Sequence, residues 1–222
     1  MISITPYWLI ISLLAFSFLP ILIGTCSSYL KINIVLGMLR SGLGTQHAPS
    51  TLVIMVLSLA LSAFVMAPVI EKCLERSDVI FNEFSEKKSS LKLDIEKLKD
   101  VFQPWQEFMK VHSGAYEIDV FQELAKSRYL SNSNDKHENN SSGIPLYVIF
   151  PAFILSELKE AFLMGFILLL PFLVIDLIVA NILAGMGMYM LSPTMISLPL
   201  KLLFFVMADG WLLLSQSLIT SY

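Results

Sequence analysis

Apolar and polar positions are sharply segregated along this chain. Four apolar stretches, about residues 7–25, 50–70, 161–184 and 200–219, each approach the roughly 20 residues a helix needs to cross a bilayer. Charge is concentrated between the second and the third. Of the 33 Asp, Glu, Lys and Arg, 25 fall between Glu71 and Glu138, and only Lys31, Arg40, Glu157, Lys159, Glu160, Asp176, Lys201 and Asp209 fall elsewhere. The pattern predicts an all-α chain of membrane-type helical hairpins with a soluble helical insert. Its parts are a first apolar helical pair with a short basic loop (1–70), a charged, partly disordered helical insert (71–143), and a second apolar helical region with a Met-rich loop and a last helix (144–222).

No Lys or Arg precedes the first apolar stretch and no small-x-small cleavage pattern follows it, so it is expected to be retained rather than removed as a signal. The segment between the first two stretches carries Lys31 and Arg40 and no acid, which reads as a cytoplasmic loop. The insert would then face the opposite, periplasmic side.

Within the insert, Phe81, Phe84, Leu91, Ile95, Leu98, Phe102 and Trp105 recur at steps of three and four, with Lys88 breaking the row. This spacing predicts one apolar stripe on a helix, ended or bent at Pro104. A second helix is expected over about 115–129, after His112-Ser113-Gly114. A hairpin packing on itself is preferred over a partner-binding coiled coil, because too few heptads are available. The tract 131–143 is polar and of low complexity, too poor in apolar surface to order itself, and its Asn139-Asn140-Ser141 triplet is read as incidental.

Composition agrees with a membrane body: 55% hydrophobic, 15% charged, mean hydropathy +0.71. The net charge of −3 gives no reason to expect a nucleic-acid partner. Cys26 and Cys73 offer no disulfide or metal pattern, and His47, His112 and His137 lack ligand spacing. There is no Gly-rich phosphate cradle and no evident nucleophilic triad, so no catalytic residue, metal ligand or cofactor is assigned. Asp176 and Asp209 leave a membrane enzyme as a minor alternative.

The charges of the apolar body need another explanation. A charge at bilayer depth costs at least ~2.5–3.5 kcal/mol, so Asp176, Lys201 and Asp209 should each find a partner or water. Ion pairs that clamp helices or subunits, for instance Asp176 with Lys201, are preferred over an ion or proton pathway. Pro171, Pro193 and Pro199 are expected to interrupt the second hairpin, which is tolerable at membrane depth only where protein or a water-filled cavity surrounds it. Met186, Met188 and Met190 alternate in "AGMGMYMLSP" and would share a face on extended backbone. They read either as gap filler or as a soft gasket in a conduit.

Several long stretches together resemble a known family: "TCSSYLKINIVLGMLRSGLGTQ", "FVMAPV", "PAFILSELKEAFLMGFILLLPFLVIDLIVA", "MGMYMLSP" and "SLPLKLLFFVMADGW". In this order they look like the R-type (flagellar P-type) subunit of the type III secretion export apparatus. The resemblance implies a non-enzymatic inner-membrane protein, five copies of which join S-type and T-type subunits in a helical, cone-like complex. U-type and V-type components would follow, and the complex would sit largely above the bilayer and pass unfolded secretion substrates outward. It further implies that Met186, Met188, Tyr189 and Met190 form the pore constriction, with Tyr189 where the family more often has Met. "HAPS" at 47–50 also departs from the family pattern, and no role is carried to it. On this reading Glu157, Lys159, Glu160, Asp176, Lys201 and Asp209 are inter-helix or inter-subunit charge locks, hidden from lipid in the closed oligomer. The absence of a cleavable signal favours a virulence injectisome over a flagellum. A small-solute channel or transporter is the alternative.

Overall fold

The stretch from Tyr29 to Leu43, expected to be a basic loop, is a helix and lies at the centre of the molecule. In the computed structural model, which describes residues 13, 14, 16, 17, 24–45, 49–86, 95–130 and 144–222, all regular structure is helical. The order is α1 (Tyr29–Leu43), α2 (Thr51–Glu86), α3 (Ile95–Val111), α4 (Ala115–Leu130), α5 (Leu146–Gly185), α6 (Pro193–Met207) and α7 (Gly210–Thr220). Most of the first apolar stretch lies outside the described residues, as do the 131–143 tract, His47 and His137.

Helix α1 explains itself by spacing. Ile32, Val35, Leu36, Leu39 and Leu43 fall at steps of three and four and are all buried. Each such side chain contributes about 1.5–3 kcal/mol of transfer free energy. Gly44 ends the helix in the left-handed conformation (φ 75°), its amide donating to the Ser41 carbonyl at 3.1 Å. Against α5 the two chains run parallel. A Cβ on Gly165 would strike the Met38 side chain, while one on Gly42 would meet Leu169 at 2.5 Å and Phe172 at 2.9 Å. On its other side α1 meets α2 through small hydroxyls, Ser28 Oγ donating to Ser62 Oγ at 3.0 Å.

The expected positions of helix breaks need correction. Pro171 does not interrupt α5, which runs unbroken for 40 residues and also contains Pro151. Nor does Pro199 interrupt α6; only Pro193 stands at a boundary, at the start of α6, where a missing N–H is harmless. A proline removes one ladder bond, and packing of Phe172 and Phe205 in the core holds the helices through the defect. Pro104 likewise sits inside α3. The carbonyl it leaves without an amide, that of Asp100, accepts instead from the Arg76 guanidinium on α2 at 3.0 Å. Conversely, the last apolar stretch is two helices, bent by 63° between α6 and α7. Asp209 takes φ 48° at the elbow, and at Gly210 any Cβ would strike the Phe205 ring.

The insert is also arranged differently from expectation. Its apolar row is divided, with Phe81 and Phe84 on α2 and Ile95, Leu98, Phe102 and Trp105 on α3. The side chains from 78 to 99, which include most of that row, lie outside the described residues. Helices α3 and α4 pack chiefly on α2 and α5 rather than on each other. Phe108 and Met109 of α3 are buried with Met66, Ile149 and Phe153, so the body supplies the apolar surface that a self-packing hairpin would have provided.

By length and composition, α2 over Thr51–Ser77 and α5 can each cross a membrane, and the bent α6–α7 pair makes a third if counted as one span. The close approach of α1 and α5 yields an ordering of two variants. Gly42→Ala forces a Cβ onto the buried Phe172 ring and should cost about 1–3 kcal/mol. Gly165→Ala meets chiefly the flexible end of Met38, which can swing aside, with the Met38 Cβ at 3.2 Å left to give slightly, and should cost less than Gly42→Ala. Unfolding midpoints of the two variants in mild detergent check the order, and equal midpoints would contradict the packing described.

Candidate functional site

Two charged nodes hold the ends of α1. At its start, Lys31 is fully buried with its Nζ 3.3 Å from Glu157 Oε1 and 2.7 Å from Glu160 Oε2, both on α5. The ammonium also lies 4.0 Å from the centroid of the Tyr222 ring. Neither Nζ nor Glu157 Oε1 has a well-aligned hydrogen bond, so charge and the aromatic face hold this contact. The Tyr222 hydroxyl donates to Glu157 Oε2. Burial, and then the adjacent Glu157 carboxylate, push that hydroxyl well above its ordinary range, so it stays a donor. Lys31 was expected to be a cytoplasmic loop charge. The structure corrects this: Lys31 lies on a helix, and its ammonium is the partner of Glu157 and Glu160.

At the other end of α1, Lys201 of α6 donates to the Gly42 carbonyl at 3.0 Å and to Asp176 Oδ2 of α5 at 2.6 Å. Gly42 belongs to the last turn, whose carbonyls lack amide partners and carry the negative end of the helix dipole. A buried ammonium therefore caps α1, and Asp176 balances it. Ser197, one turn before Lys201, donates to the second carboxylate oxygen of Asp176. The structure thus brings Asp176 and Lys201 together and ties three helices at one point.

The remaining sequence candidates differ in kind. Lys159 is exposed and pairs with the part-buried Glu117 of α4 at 3.1 Å, its hydrogen bond holding that carboxyl below its ordinary range; with the ammonium in solvent the pair contributes little to stability. Asp209 is exposed at the α6–α7 elbow and makes no ion pair among the described residues. Met186, Met188, Tyr189 and Met190 occupy the α5–α6 turn rather than an extended segment, with Gly187 at φ 73°. All four side chains are exposed, Met190 completely. Sequence reading missed Lys31 and Tyr222 as site residues. For Lys31 the signal was present, since it lies on the same three-and-four pattern as Ile32, Val35 and Leu39 and so belongs to a helix rather than a loop.

Among the described residues no three of His, Cys, Asp and Glu converge as a metal-ligand set. A cavity of about 350 Å³ at the α5–α6–α7 elbow is walled by apolar side chains such as Phe172, Phe204 and Leu213, with Ser217 the one hydroxyl. The geometry is that of a core fastened by buried charge, with an exposed apolar exterior.

Comparison with known proteins places this arrangement. The FliP family model matches residues 12–218. The chain is 38% identical over 218 residues to the Yop proteins translocation protein R of Yersinia pestis, covering 96% of this chain and 95% of that one. It is 36% identical over 220 residues to the surface presentation of antigens protein SpaP of Salmonella typhi, covering 96% and 95%. It is also 38% identical over 217 residues to the flagellar biosynthetic protein FliP of Buchnera aphidicola, covering 98% of this chain but 54% of that one, about half its length. With the family matched along almost its whole length, the chain belongs to the FliP family.

Proposed function

We propose that this chain is a non-enzymatic core subunit of a type III protein export gate in the bacterial inner membrane, one of several copies that form, with small partner subunits, the conduit for unfolded secreted proteins. Helix α5 carries the reading. Its 40 residues extend about 60 Å at ~1.5 Å per residue, twice the ~30 Å hydrocarbon thickness. Large apolar side chains stand exposed along it from Leu146 to Ile182. At the usual tilt of about 20°, lipid covers only about half of that surface. The rest calls for apolar protein, as do Leu52 and Phe64 of α2, Leu203 of α6 and Leu212 of α7. A surface of this extent suits a subunit enclosed by copies and partners.

The relatives' names supply the kind of assembly, protein translocation in Yersinia pestis and flagellar biosynthesis in Buchnera aphidicola. Between the two we take the injectisome, whose relatives in Yersinia pestis and Salmonella typhi are each covered over 95% of their length. Five copies with S-type and T-type subunits, then U-type and V-type components, complete the proposal. The 71–143 insert is placed on the periplasmic side, where most of the assembled complex lies.

Deletion and complementation of the gene test this. Export of virulence proteins should stop while swimming continues. Loss of swimming alone would move the chain to the flagellar machine, and intact export and swimming would overturn the proposal.

The residue roles are testable separately. If Asp176 and Lys201 act as a lock, each single Ala variant should lower recovery of the assembled complex, Asp176→Ala by at least about tenfold because it leaves the buried Lys201 ammonium without its counter-charge. The double variant should lose clearly less than the product of the two; strictly independent losses on native gels would remove the lock. If Met186, Met188 and Met190 form a soft seal, replacing all three by Ala should leave assembly intact and raise ion leakage through reconstituted complexes. A complex that remains tight would defeat that role.

A further inference from the structure

We propose that the cavity at the α5–α6–α7 elbow takes an acyl chain of a phospholipid whose headgroup carries a primary ammonium, with Asp209 as the counter-charge to that headgroup. The floor of the cavity is formed by the buried side chains of Val35 on α1, Phe172 on α5 and Phe205 on α6. Its rim is formed by Ile167, Phe204 and Leu213, all exposed, so it opens onto the apolar exterior that lipid tails meet. The walls carry a single hydroxyl, that of Ser217, so an occupant has to be apolar along its length. The site requires only that the chain meets lipid, whatever the assembly exports.

Size favours a chain over a side chain. An apolar cavity of about 150 Å³ holds one benzene ring. At about 350 Å³ the elbow cavity is more than twice that. A single ring inserted by a neighbouring subunit would leave much of it void, and a void forfeits the dispersion contacts of its lining. A flexible hydrocarbon tail can follow the bend between the helices and fill it.

Asp209 supplies the polar end of the site. It stands between two lining residues, Ala208 and Gly210, and is exposed. No cation pairs with it among the described residues, and its neighbours Val206, Met207 and Leu212 present exposed apolar side chains. A lone carboxylate in such surroundings is costly and calls for a cation. Its backbone makes the charge more notable. Asp209 is the one non-glycine position with positive φ among the described residues, a conformation that Gly44 and Gly187 adopt without cost. An ethanolamine headgroup brings an ammonium with three donors, tethered to tails that can enter the cavity beside it. A glycerol headgroup brings hydroxyls and a net negative charge, which Asp209 repels.

The test uses the full chain, extracted in mild detergent with the subunits it retains and placed in nanodiscs. The discs contain phosphatidylethanolamine or phosphatidylglycerol with a photoactivatable group near the end of one acyl chain, and labelled peptides are located by mass spectrometry. Labelling of the cavity lining at 164–172 and 204–218 should be about tenfold stronger with phosphatidylethanolamine, as expected for one hydrogen bond to a charged group. Ser217→Leu fills the cavity from within and should lose that labelling, while labelling at the exposed Leu52 and Leu59 of α2 persists. Asp209→Asn keeps a side chain that tolerates the left-handed conformation and should bring the two lipids close to equal. Equal labelling by the two lipids in the unaltered chain overturns the proposal, as does undiminished cavity labelling in Ser217→Leu. An unlabelled cavity, the result if a neighbouring subunit fills it, also overturns it. Should Ser217→Leu fail to fold, the lipid preference of the unaltered chain and its loss in Asp209→Asn decide.

Discussion

The ammonium of Lys31 cannot be placed at the centre of this fold without partners already in position. A lone buried charge costs several kcal/mol even after relaxation. Lys31 is fully buried on α1, the helix at the middle of the larger apolar cluster. Its partners come from α5, 126 positions away in the case of Glu157, and from Tyr222. Helix α1 can therefore be buried only when α5 and Tyr222 have docked. That condition couples the two ends of the chain, which the hydrophobic effect alone would not specify.

Apolar packing between α1 and α5 is strong but repetitive. Both helices present Ile, Val, Leu and Phe at regular spacing, and neighbouring registers one turn apart would bury similar area. The charged nodes are not repetitive. Lys31 meets Glu157 and Glu160 at one end, while the Gly42 carbonyl meets Lys201 at the other, and a shift of one turn (about 5.4 Å) along α5 breaks both sets. Gly42 and Gly165 act in the same direction, since each leaves room for one particular side chain of the facing helix. Charge here specifies the register, and apolar area provides most of the free energy.

Several of these features were legible in the sequence. The all-helical class, the long apolar helices and the helix after Gly114 follow from periodicity and composition. The pairing of Asp176 with Lys201 follows from the cost of charge at depth. The role of α1 was obscured because Lys31, Asn33 and Arg40 lower its hydropathy below that of a span, and two basic residues without an acid look like a loop. Its three-and-four pattern told against that, and hydropathy is blind to pattern. The α6–α7 elbow was marked by Asp209-Gly210, a turn dipeptide, although the apolar residues around it suggested one span. The prolines misled for a different reason. Whether Pro104 or Pro171 ends a helix depends on what meets the freed carbonyl, and Arg76 lies 28 positions from Pro104. Tyr222 was not foreseeable at all, because its importance comes from three helices that meet around its ring.

The placement of polarity also bears on how such a chain can live in two surroundings. The buried ammoniums of Lys31 and Lys201 both lie against α1, while the exteriors of α2 up to Ile70, of α5 beyond Glu160, and of α6 and α7 are largely apolar. An exterior of that kind is indifferent to whether lipid tails or apolar side chains cover it, since both satisfy it by dispersion and exclusion of water. The fold therefore does not depend on the bilayer for its internal order. The buried ammoniums of Lys31 and Lys201 already have carboxylate partners inside a single chain, before any neighbour arrives. What is left outward is largely apolar surface that can be exchanged from lipid to protein at little cost, interrupted by Lys159 and Glu160 near the start of α5, by Asp209, by the exposed methionine turn and by the charged residues of α2 from Glu71 on.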